Sequence, residues 1–228
     1  MIKILSIIPA RGGSKGLPRK NIIDLNGKPL IAWTIEASLK SKYITDTYVS
    51  SDDNEILEIS KKYKANILKR PKELATDTAS SESVVEQVIN ELKKQNKSYD
   101  YIILLQPTSP LRDEKDIDKA FKMLFEKQAT ALISVKEYDN KILKAFIDNK
   151  DGFIEGIRNN YYPFMRRQDL PKTYMSNGAI YIIKTDEFMK NKSFWTNKTI
   201  KFVMNEVKSM DIDTKEDLEK VREYLNER

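Results

Sequence analysis

The sequence predicts a doubly wound α/β fold with a mostly parallel sheet, and three observations carry that prediction. From the N-terminus to Val135, short continuous apolar runs alternate with amphipathic segments, the pattern of strands covered on both faces by crossover helices. A basic, glycine-rich stretch, "IPARGGSKGLPRKN", follows the first apolar run directly, where an open α/β sheet holds its ligands. After an irregular insert at 137–172 the alternation resumes and ends in an amphipathic helix.

The elements follow in order. "IKILSII" reads as a buried first strand and "PLIAWTIEASLK" as the first helix. "DTYVSS" is a second strand; Asp52 and Asp53 after it stand where caps for the helix "NEILEISKKYK" are expected, rather than metal ligands. "ANILK" is a strand, and "SSESVVEQVINELKK" a helix that Ser80 can cap. "YDYIILLQ", "DIDKAFKMLFEK" and "TALISV" continue as strand, helix and strand. The stretch 137–172 has a turn signal at 148–152 and no helical period, and reads as a hairpin and extended arm inserted in the sheet. "GAIYIIK" and "TIKFVMNE" are strands, and the last helix starts at Asp213 or Thr214. The 228 residues are expected to form one domain with this arm as its appendage.

Composition narrows the chemistry. The chain has no histidine and no cysteine, which removes disulfides, thiolate nucleophiles, imidazole triads and the usual zinc sites. Carboxylates, lysine, arginine, hydroxyls and an oxygen-bound metal remain, a set suited to phosphates and sugars. The net charge of +6 is diffuse, with lysines alternating with acids along helix faces, so nucleic acid is not an expected partner. No apolar stretch is long enough to span a membrane and "MIKILSIIPAR" is too short for a signal peptide, so a cytoplasmic protein is expected.

In the opening loop, Gly12, Gly13 and Gly16 allow a tight backbone whose N–H groups face an anion, and Arg11, Lys15, Arg19 and Lys20 supply positive charge. A polyphosphate fits this pattern, whereas the spacing matches neither a P-loop nor a dinucleotide fingerprint.

"ARGGSKGLPRKN" resembles the nucleotide-binding signature of the cytidylyltransferases that activate sialic acids and related nonulosonic acids, the CMP-N-acetylneuraminate synthetases. The resemblance continues through "KRPKELATD", "LLQPTSPLR", "RQDLP", "NGAIYI" and "MDIDT", covering nearly the whole chain. It implies a nucleotide-diphospho-sugar transferase-like fold and the reaction of CTP with an N-acylneuraminate to give CMP-N-acylneuraminate and pyrophosphate.

Carried over residue by residue, the resemblance assigns CTP to Arg11, Gly13, Ser14, Lys15, Lys20 and Asn21, with Arg70, Ser80 and Ser81 near the nucleotide. Arg19 falls outside the pattern and is expected to be a solvated charge. Gln106 is assigned to the acceptor sugar, and Arg167 to its carboxylate, which a planar guanidinium can grip bidentately. Asn177 and Tyr181 are assigned to the sugar, and strand alternation would put Ala179 on their face. Phe194 and Trp195 match an aromatic pair near the N-acyl group, with core packing as the alternative. Arg112 is open between a structural partner for a loop carboxylate and a site role, and Thr108 and Ser109 are expected to stabilise a turn.

Asp211 and Asp213 lie two apart on an extended segment, so both carboxylates project to one side. Facing a triphosphate they would form a Mg²⁺ site, the only cofactor expected, with a cap for the last helix as the lesser alternative for Asp213. With Arg11 and Lys15, these two aspartates are the candidate catalytic residues. The 137–172 arm resembles the family's dimerisation element, in which each protomer closes the other's sugar pocket, and Lys144 matches a position that reaches across. A homodimer is therefore expected.

Two departures from the family pattern bear on the acceptor. Met175 stands where many bacterial relatives have arginine, and Phe194-Trp195 where some have two phenylalanines. N-acylneuraminate is the first expectation, legionaminic acid or a related diacylated nonulosonate the alternative, and Kdo a more distant one. A glycosyltransferase with a D-x-D metal site and a non-catalytic nucleotide-binding module are the rival classes.

Overall fold

The computed structural model describes residues 2–14, 16–76 and 78–227. In chain order the strands are β1 (Ile4–Pro9), β2 (Asp24–Leu25), β3 (Lys28–Pro29), β4 (Asp46–Ser51), β5 (Asn66–Lys69), β6 (Tyr101–Leu104), β7 (Ala131–Tyr138), β8 (Phe146–Asp148), β9 (Ile154–Gly156), β10 (Thr173–Lys184) and β11 (Thr199–Val203). The helices are α1 (Leu30–Lys40), α2 (Asn54–Lys62), α3 (Ser81–Lys94), α4 (Glu114–Glu126), α5 (Thr185–Asn191) and α6 (Lys215–Asn226).

Seven strands form one sheet in the order β11-β7-β10-β6-β1-β4-β5. β1 lies between parallel neighbours β4 and β6, and its apolar residues are buried because both its edges and both its faces are covered. β10 is the exception to the parallel rule: it runs antiparallel to both β6 and β7, while β7 and β11 pair in parallel. The chain leaves β1 first toward β4 and β5 and returns to β6 on the other side, so strand order reverses beside β1. In such sheets that reversal opens a crevice beyond the strands' carboxyl ends.

Helices cover both faces. Ile31 and Ile35 of α1, Ile56 of α2 and Phe121 and Leu124 of α4 pack in one core cluster. Val85, Val88 and Leu92 of α3 and Phe188 of α5 pack in the other. The doubly wound architecture predicted from the alternation is thus the one observed. A third cluster joins Leu17, Leu30, Leu111, Ile212, Leu218 and Val221, tying the opening loop, the turn after β6 and α6 together. Burial of an isoleucine or leucine side chain stabilises by about 1.5–3 kcal/mol, so Ile212, fully buried between Asp211 and Asp213, anchors the acidic segment.

Four local features differ from the sequence expectation. The short hairpin β2–β3 and the seven-residue α5 carry too few periodic positions to register in the sequence. β10 starts at Thr173, before the predicted "GAIYIIK". Within β10 the pairing with β7 shifts between Ser176 and Tyr181, where Gly178 has φ +75°. This irregularity breaks the alternation that would have put Ala179 with Tyr181: Ala179 packs with Ile180 and Ile182, and Tyr181 packs against the opposite cluster.

The insert after β7 contains the expected hairpin, here β8–β9, followed by the short 3₁₀ turns Tyr162–Phe164 and Arg167–Asp169. It leaves large apolar side chains in solvent, among them Phe153, Ile154, Tyr161 and Phe164, the last 81% exposed.

Candidate active site

A cleft of about 670 Å³ opens at the carboxyl ends of β1 and β6. It is lined by Pro9, Arg11, Ser14, Gly16, Lys20 and Asn21 from the end of β1 and the opening loop, and by Arg70, Ser80 and Ser81. Gln106, Pro107 and Thr108 enter from the turn after β6, and Asp211, Asp213 and Thr214 from the segment before α6. Four stretches distant in sequence therefore meet where the strand order reverses. Lys15 lies outside the described residues.

Local contacts explain how the loop is held. The Asn21 amide donates to the Arg11 carbonyl at 2.9 Å, and Gly12 N–H donates to Asp52 Oδ1 at 3.0 Å. The Gly12 N–H is thus already bonded to a carboxylate. Asp53 caps α2, as expected, accepting from the N–H groups of Glu55 and Ile56. Arg19, expected to be a solvated charge, instead pairs with Asp53 at 2.8 Å and with Glu55. Its left-handed backbone, φ 59°, starts the 3₁₀ turn Lys20–Ile22, and its guanidinium bonds the acidic start of α2.

Arg70 is buried beside β4, donating to the Ser50 hydroxyl at 3.2 Å and the Ser50 carbonyl at 2.6 Å. Burial and, further down, the nearby Arg11 charge bring its pKa down to about 10, so it remains a cation at neutral pH. Ser80 fills the structural role open to it: its hydroxyl accepts from Ser83 N–H and caps α3, while Ser80 also lines the cleft.

The acidic pair faces the same cleft, as alternation across buried Ile212 requires. Asp213 Oδ1 is 2.8 Å from Lys20 Nζ. Capping of α6 falls to Thr214, whose hydroxyl accepts from Asp217 N–H in a reciprocal capping box, which leaves the Asp213 carboxylate free of that duty. The Asp211 carboxyl is pushed above the ordinary carboxylate range, chiefly by burial and further by Asp213, although a hydrogen bond from Thr108 opposes the shift. Asp211 Oδ1 is buried without a hydrogen-bond partner. An orphaned buried carboxylate oxygen next to a second carboxylate is a donor set that fits Mg²⁺, which takes few protein oxygens and leaves its remaining positions to phosphate and water. Among the described residues no group of three or more acidic side chains could hold a metal without such outside ligands.

Thr108 was not expected in the site; beyond its turn, it lines the cleft, bonds Asp211 and accepts the Ile212 N–H on its carbonyl at 2.9 Å. The Ser109 hydroxyl is buried without a partner and stabilises nothing by hydrogen bonding. Arg112 is fully buried and structural, but its bonded partners are not carboxylates. It donates to the Ala179 and Gln106 carbonyls and to the Thr34 hydroxyl, fixing the turn that carries Gln106 against β10 and α1. Burial lowers its pKa to about 10. Gln106 lies so close to Gly178 that a Cβ there would sit 2.6 Å from Gln106 Oε1.

The other residues assigned to the sugar do not line the cleft. Asn177 is buried, with its Oδ1 accepting from the Ser134 hydroxyl and its Nδ2 donating to Ser209 Oγ at 2.8 Å. The Tyr181 hydroxyl bonds Ser176 Oγ, and its ring lies 5.5 Å from Phe194. Phe194 is core, packed on Phe188, while Trp195 is 62% exposed, so adjacent aromatic residues split between interior and surface. Arg167 and Lys144 stand on the arm. Arg167 lies 3.4 Å from Asp139 in a separate depression shared with Asn140 and Lys172, and Lys144 donates to the Pro163 carbonyl. One chain therefore gathers Arg11, Ser14, Lys20, Asn21, Arg70, Ser80 and Ser81, all assigned to CTP by resemblance, around one cleft, and among the described residues Gln106 is the one assigned sugar residue that lines it.

No helix among the described residues is long and apolar enough to cross a membrane. A family model described as cytidylyltransferase matches residues 5–228. The chain is 38% identical to the pseudaminic acid cytidylyltransferase of Campylobacter jejuni (serotype O:23/36, strain 81-176), over 96% of this chain and 94% of that protein. It is 34% identical to the N-acylneuraminate cytidylyltransferase of Escherichia coli O18:K1:H7, over 95% of this chain and 51% of that one. Among solved structures, a CMP:2-keto-3-deoxy-manno-octonic acid synthetase complexed with CTP superposes with a TM-score of 0.73 at 18% identity, covering 99% of both chains.

Proposed function

Because the chain belongs to the cytidylyltransferase family, a class of nucleotidyltransferases, we propose that it activates a nonulosonic acid with CTP, giving a CMP-nonulosonate and pyrophosphate. The observation that carries this reading is the cleft itself, where Arg11, Lys20 and Arg70 face Asp211 and Asp213 beside Gln106. N-acylneuraminate is the acceptor favoured by the motif pattern. The 38% identity to a pseudaminic acid cytidylyltransferase over nearly all of both chains supports a second reading, an acceptor of that kind or another relative such as legionaminic acid.

In the reaction the acid's anomeric hydroxyl attacks the α-phosphorus of CTP. A new P–O bond forms, the bond to the β-phosphate oxygen breaks, and pyrophosphate leaves. The chain's own groups supply position and charge. Arg11, Lys15 and Lys20, with Gly13 and Ser14, hold the phosphates, while Asn21 braces the loop by its bond to Arg11. Arg70, Ser80 and Ser81 flank the nucleoside. Asp211 and Asp213 would hold Mg²⁺, which when bound supplies positive charge to the phosphate oxygens. Gln106 orients the sugar, and exposed Trp195 is the aromatic residue left to meet its acyl region, while Phe194 packs in the core behind Tyr181 and Asn177 braces their strand through Ser134 and Ser209.

The exposed apolar arm fits a homodimer contact, since a patch of that kind on a water-soluble surface marks an interaction site. In the dimer the partner's Arg167 would take the acceptor's carboxylate and the partner's Lys144 would help close the pocket. The assignment is tested by incubating the protein with CTP, Mg²⁺ and each acid in turn and identifying the product by mass spectrometry. A CMP-nonulosonate from one acid supports the reading; unchanged CTP with every acid overturns it.

A further inference from the structure

The segment that carries Asp211 and Asp213 is fastened at a point outside the cleft. Lys208, three residues before Asp211, donates from Nζ to Asp113 Oδ2 at 2.9 Å and to Asp116 Oδ2 at 2.6 Å. These acids are the N-cap and third residue of α4, already joined in a reciprocal capping box. The lysine side chain is only 20% exposed and that of Asp116 8%, so the contact is sheltered rather than a solvated surface pair. Burial works against the ammonium's charge, but the two carboxylates outweigh it and hold the Lys208 pKa above its ordinary value.

The remaining restraints on the segment lie close by. Ser209 accepts from Asn177 and donates to the Asn205 carbonyl, and Ile212 N–H donates to the Thr108 carbonyl. Asp211 thus hangs between two fixed points, Lys208–Ser209 on one side and Ile212 on the other. Its carboxylate takes one hydrogen bond, from Thr108, and its Oδ1 is left unpartnered, so the course of the backbone on either side helps to set where that oxygen points.

We infer that Lys208 is a positioning residue, whose bridge to Asp113 and Asp116 sets the Asp211 carboxylate for a divalent cation. The inference rests on the metal reading of Asp211 and Asp213. Groups that orient metal ligands without touching the metal commonly matter about 10–100-fold in affinity, and Lys208 acts at this remove, through three residues of backbone.

The test uses Mn²⁺ as the probe, titrated into the protein with saturating CTP and no acceptor, and followed by water-proton relaxation enhancement, so that no turnover is read. CTP affinity in EDTA is measured in parallel by calorimetry. Lys208→Met should weaken Mn²⁺ binding about tenfold with CTP affinity in EDTA unchanged, and Lys208→Arg should restore most of it. Lys122→Met, which removes an exposed pair with Glu126, should change neither value. Wild-type Mn²⁺ affinity in Lys208→Met overturns the inference, as does an equal loss of metal-free CTP binding, which would signal general damage to the cleft. Asp211→Ala separates the two levels. If Asp211→Ala loses Mn²⁺ while Lys208→Met keeps it, the bridge alone is wrong; if Asp211→Ala keeps Mn²⁺, the metal reading falls and the inference with it.

Discussion

Lys20 Nζ lies 2.8 Å from Asp213 Oδ1, joining the opening loop to the acidic segment across 193 residues of sequence. The lysine is mostly covered and the aspartate mostly exposed, with side chains 15% and 71% accessible. A group proposed for the phosphates and a group proposed for the metal thus neutralise each other.

With Asp213 open to solvent the pair is screened and worth about 0–1 kcal/mol, so Lys20→Gln should leave the melting temperature nearly unchanged. A hydrogen bond to a charged phosphate is worth about 1.5–3 kcal/mol, so the same variant should bind CTP at least about tenfold more weakly. Calorimetric titration with CTP and thermal denaturation of the same preparation check both halves.

Asp211 gives a pH-dependent expectation. Its folded pKa lies above the ordinary value of 3.8, so protonation favours the folded state. That contribution is complete below the unfolded pKa and is lost as pH rises through the folded one. At neutral pH without metal, Asp211→Asn should therefore melt higher than wild type. The difference should vanish below the carboxylate range, and the variant should gain no stability from Mg²⁺. A melting series from acid to neutral pH, with and without the cation, reads all three.

Gly16 and Gly13 should separate cleanly. A Cβ on Gly16 would stand 2.7 Å from the Asp213 backbone carbonyl, whereas one on Gly13 would meet nothing within 4 Å. Gly16→Ala forces the opening loop and the acidic segment apart and should cost about 1–3 kcal/mol, with weaker CTP binding. Gly13→Ala should change stability by less than about 0.5 kcal/mol. Urea denaturation gives both values.

These relationships show what the sequence can and cannot convey. β1, the loop that follows it and the caps at Asp53 and Ser80 were legible because their signals are local: an apolar run, clustered glycines, and a short polar residue before an amphipathic stretch. The aspartates were legible as a pair, but not their pairing with Lys20 or the anchoring of Ile212 among Leu17 and Leu111, which depend on distant elements meeting. Arg19 misled for the same reason, since its partners lie on α2. The face of Ala179 misled because alternation assumes a regular strand, and β10 is irregular around Gly178. The sugar side could be assigned only through resemblance, and within one chain Arg167 and Lys144 stand on the arm, outside the cleft.

The arm supplies a prediction of its own. Phe164 is the most exposed of its large apolar residues. If the arm is the homodimer contact, Phe164→Asp should shift the protein toward monomer in multi-angle light scattering. CTP binding should persist, because the residues proposed for the nucleotide come from one chain, while turnover with the acid should fall.

The most direct test of the proposed reaction is pyrophosphate release from CTP and Mg²⁺ with N-acylneuraminate, pseudaminic acid, legionaminic acid or Kdo supplied separately, in wild type and Asp211→Ala. The expected result is release with one of the first three acids, absent without acid and abolished in the variant. CTP binding with no release for any acid, or release that persists undiminished in Asp211→Ala, would contradict it.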